Sequence, residues 1–190
     1  MNDATVLPAR HKLDVDTYYW MAEAGIFGRN DRIELINGDL IDMAPIGQGH
    51  DAIVNGLNEA LVLACSGRAI VSPKNSIRLN RTNAPQPDFT ILQRRPDFYA
   101  SGERPGPADV LLMVEVADTS LRFDRKVKLR LYARAGIGEY WIVNLQRRMV
   151  EAYKTPSDDE YSRMNKYKPG DCVGLTLASD IIVKLDLIFG

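Results

Sequence analysis

The run Val110-Leu111-Leu112-Met113-Val114-Glu115-Val116-Ala117 constrains this chain more than any other segment. It is apolar at odd and even positions alike, the mark of a strand buried on both faces, and such strands lie inside sheets covered by helices. Glu115 interrupts it. A buried, unpaired carboxylate is costly, so Glu115 must be neutralised, paired with a base or bound to a metal. What the neighbouring elements bring to it decides which.

Those elements alternate between helix and strand patterns. Asp14 or Asp16 can cap a helix through Tyr18, Trp20, Met21 and Ala24 that Gly25 stops. Residues 32–36 and 39–43 flank Asn37-Gly38, the dipeptide that best accepts positive φ at both centres of a tight hairpin turn. From His50, the positions Ile53, Leu57, Ala60, Leu61 and Ala64 recur at helical spacing until Gly67. Short strands are expected over 69–72 and 76–79, and Pro87-Asp88 opens another through Phe89-Thr90-Ile91-Leu92. Residues 93–108, with Pro96, Pro105, Gly106 and Pro107, form a loop suited to motion or to touching a partner. A third helix starts near Asp124 and stops at Gly136, with Val127, Leu131 and Ala135 on its apolar face and Lys128 at the border. Residues 139–143 and 149–153 read as an antiparallel pair, followed by a strand over 161–167 and a last apolar element over 180–189.

This pattern predicts an α/β or α+β fold, a sheet flanked by helices. At 190 residues the chain fits one domain over 1–190, with 1–30 a helical extension packed on it. Apolar runs fall far short of the ~20 residues of a membrane helix, and the N-terminus carries no apolar signal core, so a cytoplasmic protein with no membrane partner is expected. Cys65 and Cys172 stand in no CxxC pair and beside no His, which predicts buried structural thiols. Gly47-Gln48-Gly49 lacks the strand and third glycine of a dinucleotide loop, so no organic cofactor is expected. The net charge of -1 advertises no polyanion partner, which would need a local basic surface. Residues 122–134 offer one: Arg122, Arg125, Lys126 and Arg130 could contact phosphates, or could simply be a solvated helix face.

The chemistry rests on two strand carboxylates and a lysine. Hydrolysis of a phosphodiester needs an activated water and positive charge to offset the transition state. Mg²⁺ is held by one or two carboxylates while water and substrate phosphate fill its other positions, so Asp88 and Glu115 suffice if their strands are neighbours. Lys128, one helical turn beyond Asp124, would add a positive charge near the attacking water or the scissile phosphate. Each residue also has a bland reading. Pro-Asp often marks a turn, Glu115 could be a buried acid paired with a base, Glu34 could face water or pair with Arg32, and His50 could serve only its helix start. Tyr132, Tyr140 and Trp141 fit core packing better than base stacking.

The segments Pro87-Asp88, Val114-Glu115-Val116-Ala117-Asp118-Thr119-Ser120, Asp124 through Gly136 and Glu139-Tyr140-Trp141-Ile142-Val143 together resemble the Uma-type restriction endonuclease family, a branch of the PD-(D/E)xK nuclease superfamily. The resemblance extends to Ile33 through Asp39, to His50 and to 185–190, nearly the whole chain. It implies a central mixed sheet with flanking helices, Mg²⁺ with Mn²⁺ as a substitute, and DNA as substrate. It makes Asp88 and Glu115 metal ligands, makes Glu34 an acidic residue that supplements the metal site or orients its water, and brings His50 close to the site. The superfamily lysine normally lies two residues after the second acid, where this chain has Ala117. The resembled family moves it to the following helix, to Lys128 in preference to Lys126. A cut through both strands needs two sites, so a homodimer is expected. The rival readings are a catalytically silent nucleic-acid-binding or interaction module, and a hydrolase acting on RNA or a small phosphoester.

Overall fold

In the computed structural model, which describes residues 10–28, 31–43, 48–102 and 104–189, a six-stranded mixed sheet forms the centre. Helix α1 (Val15–Glu23) begins at Asp14, whose carboxylate accepts the Thr17 N–H at 2.9 Å. Strands β1 (Ile33–Ile36) and β2 (Asp39–Asp42) pair antiparallel around Asn37 and Gly38, whose φ angles of 51° and 76° are those the dipeptide predicted. Helix α2 (Gln48–Cys65) ends before Gly67, at φ 78°. Strands β3 (Ala69–Pro73), β4 (Phe89–Gln93), β5 (Val110–Ala117), β6 (Glu139–Asn144), β7 (Met149–Ser157) and β8 (Glu160–Tyr167) follow in that spatial order, with only β5 and β6 parallel. All eight residues of β5 are buried, as its unbroken apolar run requires.

The two faces of the sheet carry different layers. One packs Phe89, Ile91, Leu112, Val114, Val116 and Trp141 against Leu57 and Leu61 of α2, together with a small ribbon of β9 (Cys172–Gly174) and β10 (Ile182–Lys184) and the short helix α5 (Asp186–Phe189). The other packs Leu92, Met113, Ala117, Tyr140 and Ile142 against Leu131 and Tyr132 of the third helical segment. That segment comprises α3 (Leu121–Phe123), a π-helical turn (Asp124–Lys128) and α4 (Leu129–Arg134). The strand period of two puts Met113, Glu115 and Ala117 on this second face. In the hairpin the same alternation sends Ile36 to that face and Leu35 to a small cluster with Val15 and Tyr18 of α1.

Several expectations are corrected. Residues 76–79 form no strand: Ile77 N–H bonds Pro85 O and Leu79 N–H bonds Asn83 O, both at 3.0 Å, but Pro85 and Pro87 have no N–H with which to complete a ladder. The third helix starts at Leu121 rather than near Asp124. The last apolar stretch splits into β10 and α5. Cys65 is buried, but Cys172 is exposed, because it lies on the short outer ribbon. No helix among the described residues is long and apolar enough to cross a membrane.

Candidate active site

Asp88 precedes β4, and Glu115 lies near the end of the adjacent β5, so the antiparallel register brings them together: Phe89 faces Val114. The Val116 N–H donates to Asp88 Oδ2 at 2.8 Å, which ties the Asp88 side chain to the Glu115 strand. His50, on the first turn of α2, places Nε2 3.5 Å from the same Asp88 oxygen. Glu34 comes from the hairpin, and the π-turn carries Lys128 inward. The Lys128 ammonium donates to Glu34 Oε1 at 2.9 Å and to Glu115 Oε1 at 2.8 Å. Glu34 therefore neither faces water nor pairs with Arg32; it is 2% exposed and bound to Lys128.

Lys128 was expected at the border of its helix and is instead 1% exposed. The Leu129 N–H reaches back five residues to Asp124 O, where a regular helix would reach four. The wider turn aims both Asp124 and Lys128 at the sheet, and both are buried.

Two further residues belong to this cluster and were not among the sequence candidates. Tyr132, fully buried, donates its hydroxyl to Glu115 Oε1 at 2.7 Å. Asp124 accepts the Ser120 hydroxyl at 2.7 Å. The spacing Asp124, Lys128, Tyr132, one residue every fourth position, was the available signal, because i, i+4 residues share a helix face. Tyr140 and Trp141 are core residues, as expected.

The electrostatics follow from burial and crowding. Burial pushes Glu115 well above the usual carboxylate range; Lys128 opposes this, and the charges of Asp124, Asp88 and Glu34 add to it. Burial likewise pushes Asp124 up to about 6, against the pull of Lys128. Burial also acts on Asp88, but the bonds from His50 and the Val116 N–H, with the His50 and Lys128 charges, outweigh it and hold Asp88 below its usual value. For Lys128, burial opposes the ammonium form, yet Glu115, Glu34 and Asp124 more than compensate and raise its pKa.

Two buried acceptors in the cluster, Glu34 Oε2 and Asp88 Oδ1, have no hydrogen-bond partner among the described residues. Both contacts on Glu115 fall on Oε1 alone. Among the described residues no three Asp, Glu, His or Cys side chains close into a ready-made cage. The donor set is nevertheless one of hard carboxylate oxygens with acceptor capacity to spare. That set fits a hard divalent cation that takes its remaining ligands from water and substrate.

The expected nucleic-acid contacts are placed differently from one another. Arg122, Lys126 and Arg130 are exposed on the helix. Arg125 is exposed too, but its guanidinium is committed to buried Glu151, through Nε to Oε2 at 2.9 Å and through Nη2 to Oε1.

A family model described as "Putative restriction endonuclease", Uma2, matches residues 15–181. The chain belongs to the Uma2 family. The match runs from the first residue of α1 to just before β10, and so includes Glu34, Asp88, Glu115 and Lys128. Among solved structures the chain is similar to a putative nuclease belonging to DUF820 from Anabaena variabilis ATCC 29413. The two are 13% identical over 89% of this chain and 96% of that one, with a TM-score of 0.66. That likeness shows a shared fold. No curated protein matches the chain.

Proposed function

We propose that this Uma2 protein is a metal-dependent endonuclease that hydrolyses DNA phosphodiesters. The observation that carries the reading is the buried Lys128 ammonium bound to Glu34 and Glu115 beside Asp88, with two carboxylate oxygens left unpartnered. Family membership supports a nuclease. Asp88 and Glu115 would hold Mg²⁺ or Mn²⁺, with Glu34 as a supplementary ligand. When bound, the cation would supply a water of lowered pKa and offset charge on the phosphoryl oxygens.

The chain's own groups have distinct tasks in this reading. Lys128 compensates the crowded carboxylates through two of its three N–H groups and would offer positive charge and the remaining N–H to the scissile phosphate. Its raised pKa keeps it charged, so it acts as an electrostatic stabiliser and not as a base. Tyr132 and Lys128 share Glu115 Oε1 and leave the other oxygen, which would be the one to hold the cation. The Val116 N–H and His50 fix Asp88 in the same way through Oδ2 and leave Oδ1 to bind. The exposed Arg122, Lys126 and Arg130 would meet the DNA backbone. A cut through both strands would call for a homodimer.

The test is cleavage of supercoiled plasmid by wild type, Glu115→Ala and Lys128→Ala, each with Mg²⁺, Mn²⁺ or EDTA, with RNA and a nucleotide ester run in parallel. Cleavage of plasmid only with metal, and only by wild type, supports the reading. Folded wild type that binds DNA in a salt-dependent way but never cuts would make the chain a silent binding module; cutting RNA alone would change the substrate.

A further inference from the structure

The segment between β4 and β5 holds a turn that the chemistry above does not use. Phe98 and Tyr99 have φ of 50° and 62°, two bulky aromatic residues in succession in the left-handed region. Each such residue costs about 1–2 kcal/mol and persists only where the surroundings fix it. Asp97 fixes both. Its carboxylate accepts Ser101 Oγ at 2.6 Å, Arg95 Nη2 at 2.9 Å and Nε at 3.1 Å, and the Tyr99 N–H at 3.3 Å. The two rings then part. Tyr99 packs against the apolar cluster on the sheet face that also carries the carboxylate site, and its hydroxyl donates to Gln93 O at 3.0 Å. Phe98 is 59% exposed, with the Arg94 guanidinium 4.3 Å from its ring centroid.

Phe98 also lines a groove of about 420 Å³ beside the edge strand β3. Ser72, Asn75 and Arg104 give the groove polar groups, and Ile77 and Leu92 belong to the same face of the sheet as the candidate site. Its far end reaches the Asp88 segment: Pro73 lines it and pairs with Phe89, and the Lys74 N–H bonds Asp88 O at 3.1 Å. Ile70 to Pro73 covers three strand steps, about 10 Å. An exposed aromatic face, two arginines and a groove ending beside a carboxylate site match a polyanion that carries flat rings.

We propose that Phe98, backed by Arg94, is a stacking platform for an unpaired base of a DNA strand whose backbone passes Arg104 toward Asp88. The inference rests on the nuclease reading of the site. Aromatic side chains accept any base because every base has a π-face, and arginine adds charge and cation–π attraction. The strained turn keeps the ring outside the core and ready for stacking.

The test uses full-length protein in EDTA, so that nothing is cut, and a labelled single-stranded oligonucleotide of about 12 nucleotides followed by anisotropy. Phe98→Gly relieves the strained φ, so its melting temperature is expected to stay level or rise while oligonucleotide affinity falls by about 5- to 150-fold. Phe98→Trp is expected to keep affinity and to lose fluorescence on oligonucleotide addition, with wild type, which carries Trp20 and Trp141, as the control. Arg104→Ala is expected to flatten the salt dependence by about one phosphate contact. Wild-type affinity in Phe98→Gly, no added quenching in Phe98→Trp, or no oligonucleotide binding by wild type would each overturn the platform. A Phe98-dependent binder that never cuts with Mg²⁺ or Mn²⁺ would keep the platform and remove the nuclease reading. A metal-dependent nuclease indifferent to Phe98→Gly would do the reverse. Capture of a protein segment by Phe98 with no oligonucleotide binding counts against the proposal.

Discussion

Glu115 and Glu151 lie on one face of the sheet at one level, two strands apart, because Glu115 pairs with Ile142 and Ile142 with Glu151. Both are buried, and one helical segment supplies each with a cation, Lys128 to Glu115 and Arg125 to Glu151. Their surroundings differ in what is left over. Both oxygens of Glu151 are spoken for, by Arg125, by Asn144 Nδ2 at 3.3 Å and by the Tyr153 hydroxyl at 2.9 Å. Burial works against its charge, but the bonds from Arg125, Asn144 and Tyr153 outweigh it and hold the carboxyl below its usual range. Glu115 is displaced the opposite way and stands beside two unpartnered carboxylate oxygens. Glu139, a third buried glutamate, resembles Glu151: Trp141 Nε1 at 2.6 Å, the Thr176 N–H at 2.7 Å and Lys154 at 3.1 Å complete it. A buried acid paired with a base is therefore common in this molecule. Surplus negative charge with spare acceptors sets the Glu115 cluster apart.

Removing each carboxylate in turn should separate chemistry from stability. Glu115→Ala is expected to stay folded and to lose at least about 10²–10³-fold in metal-dependent plasmid cleavage, because it deletes an electrostatic element of the site. Glu151→Ala is expected to cut at a near-normal rate while folded, but to lose about 2–3 kcal/mol by deleting the buried carboxylate to which Arg125, Asn144 and Tyr153 bond. That corresponds to a fall in melting temperature on the order of 10 °C by calorimetry. If Glu115→Ala proved the more destabilising of the two, the distinction between a site acid and a structural acid would collapse.

How much of this was legible beforehand depends on whether a local rule or a distant contact decides. The hairpin turn, the Asp14 cap of α1, the Gly67 stop after α2 and the twice-buried β5 follow from residues within a few positions of one another, and the sequence reading matches them. Asp88 and Glu115 needed neighbouring strands to meet, a condition the sequence left open and the β4–β5 register meets. The π-turn was not legible. An apolar face at Val127, Leu131 and Ala135 is compatible with a regular helix, in which Lys128 borders the core; only the wider turn takes it inside. Tyr132 read as a core residue and is one, but its hydroxyl partner stands 17 positions away on another element, which periodicity does not reveal. Arg125 was equally hidden, since its partner Glu151 lies 26 positions on.

Tyr132→Phe sharpens the comparison at lower amplitude. It removes one donor from Glu115 Oε1 and leaves Lys128 in place, so stability should change by about 1 kcal/mol or less. Metal affinity, read by calorimetric titration with Mn²⁺, is expected to weaken about 10-fold, the lower end for loss of a group that orients a ligand. Unchanged affinity would mean that Lys128 alone orients the carboxylate.

The smallest effect concerns acid. The folded-state pKa of Glu151 lies below its ordinary value of 4.5, so between those two values the unfolded chain binds more protons than the native one. Its contribution to stability is present above the unfolded value and is lost as pH falls through the folded one. Glu151→Gln lacks that contribution at every pH. Wild type and variant should therefore differ most in melting temperature above the ordinary value of 4.5 and converge as pH falls through the lower folded value, as protonation makes the native side chain resemble the amide. A gap that stays constant over that range would mean that Arg125 holds Glu151 by shape and hydrogen bonding and not by charge. The two glutamates would then differ in geometry alone, and the unpartnered oxygens around Glu115 would be the sole feature separating the site from the scaffold.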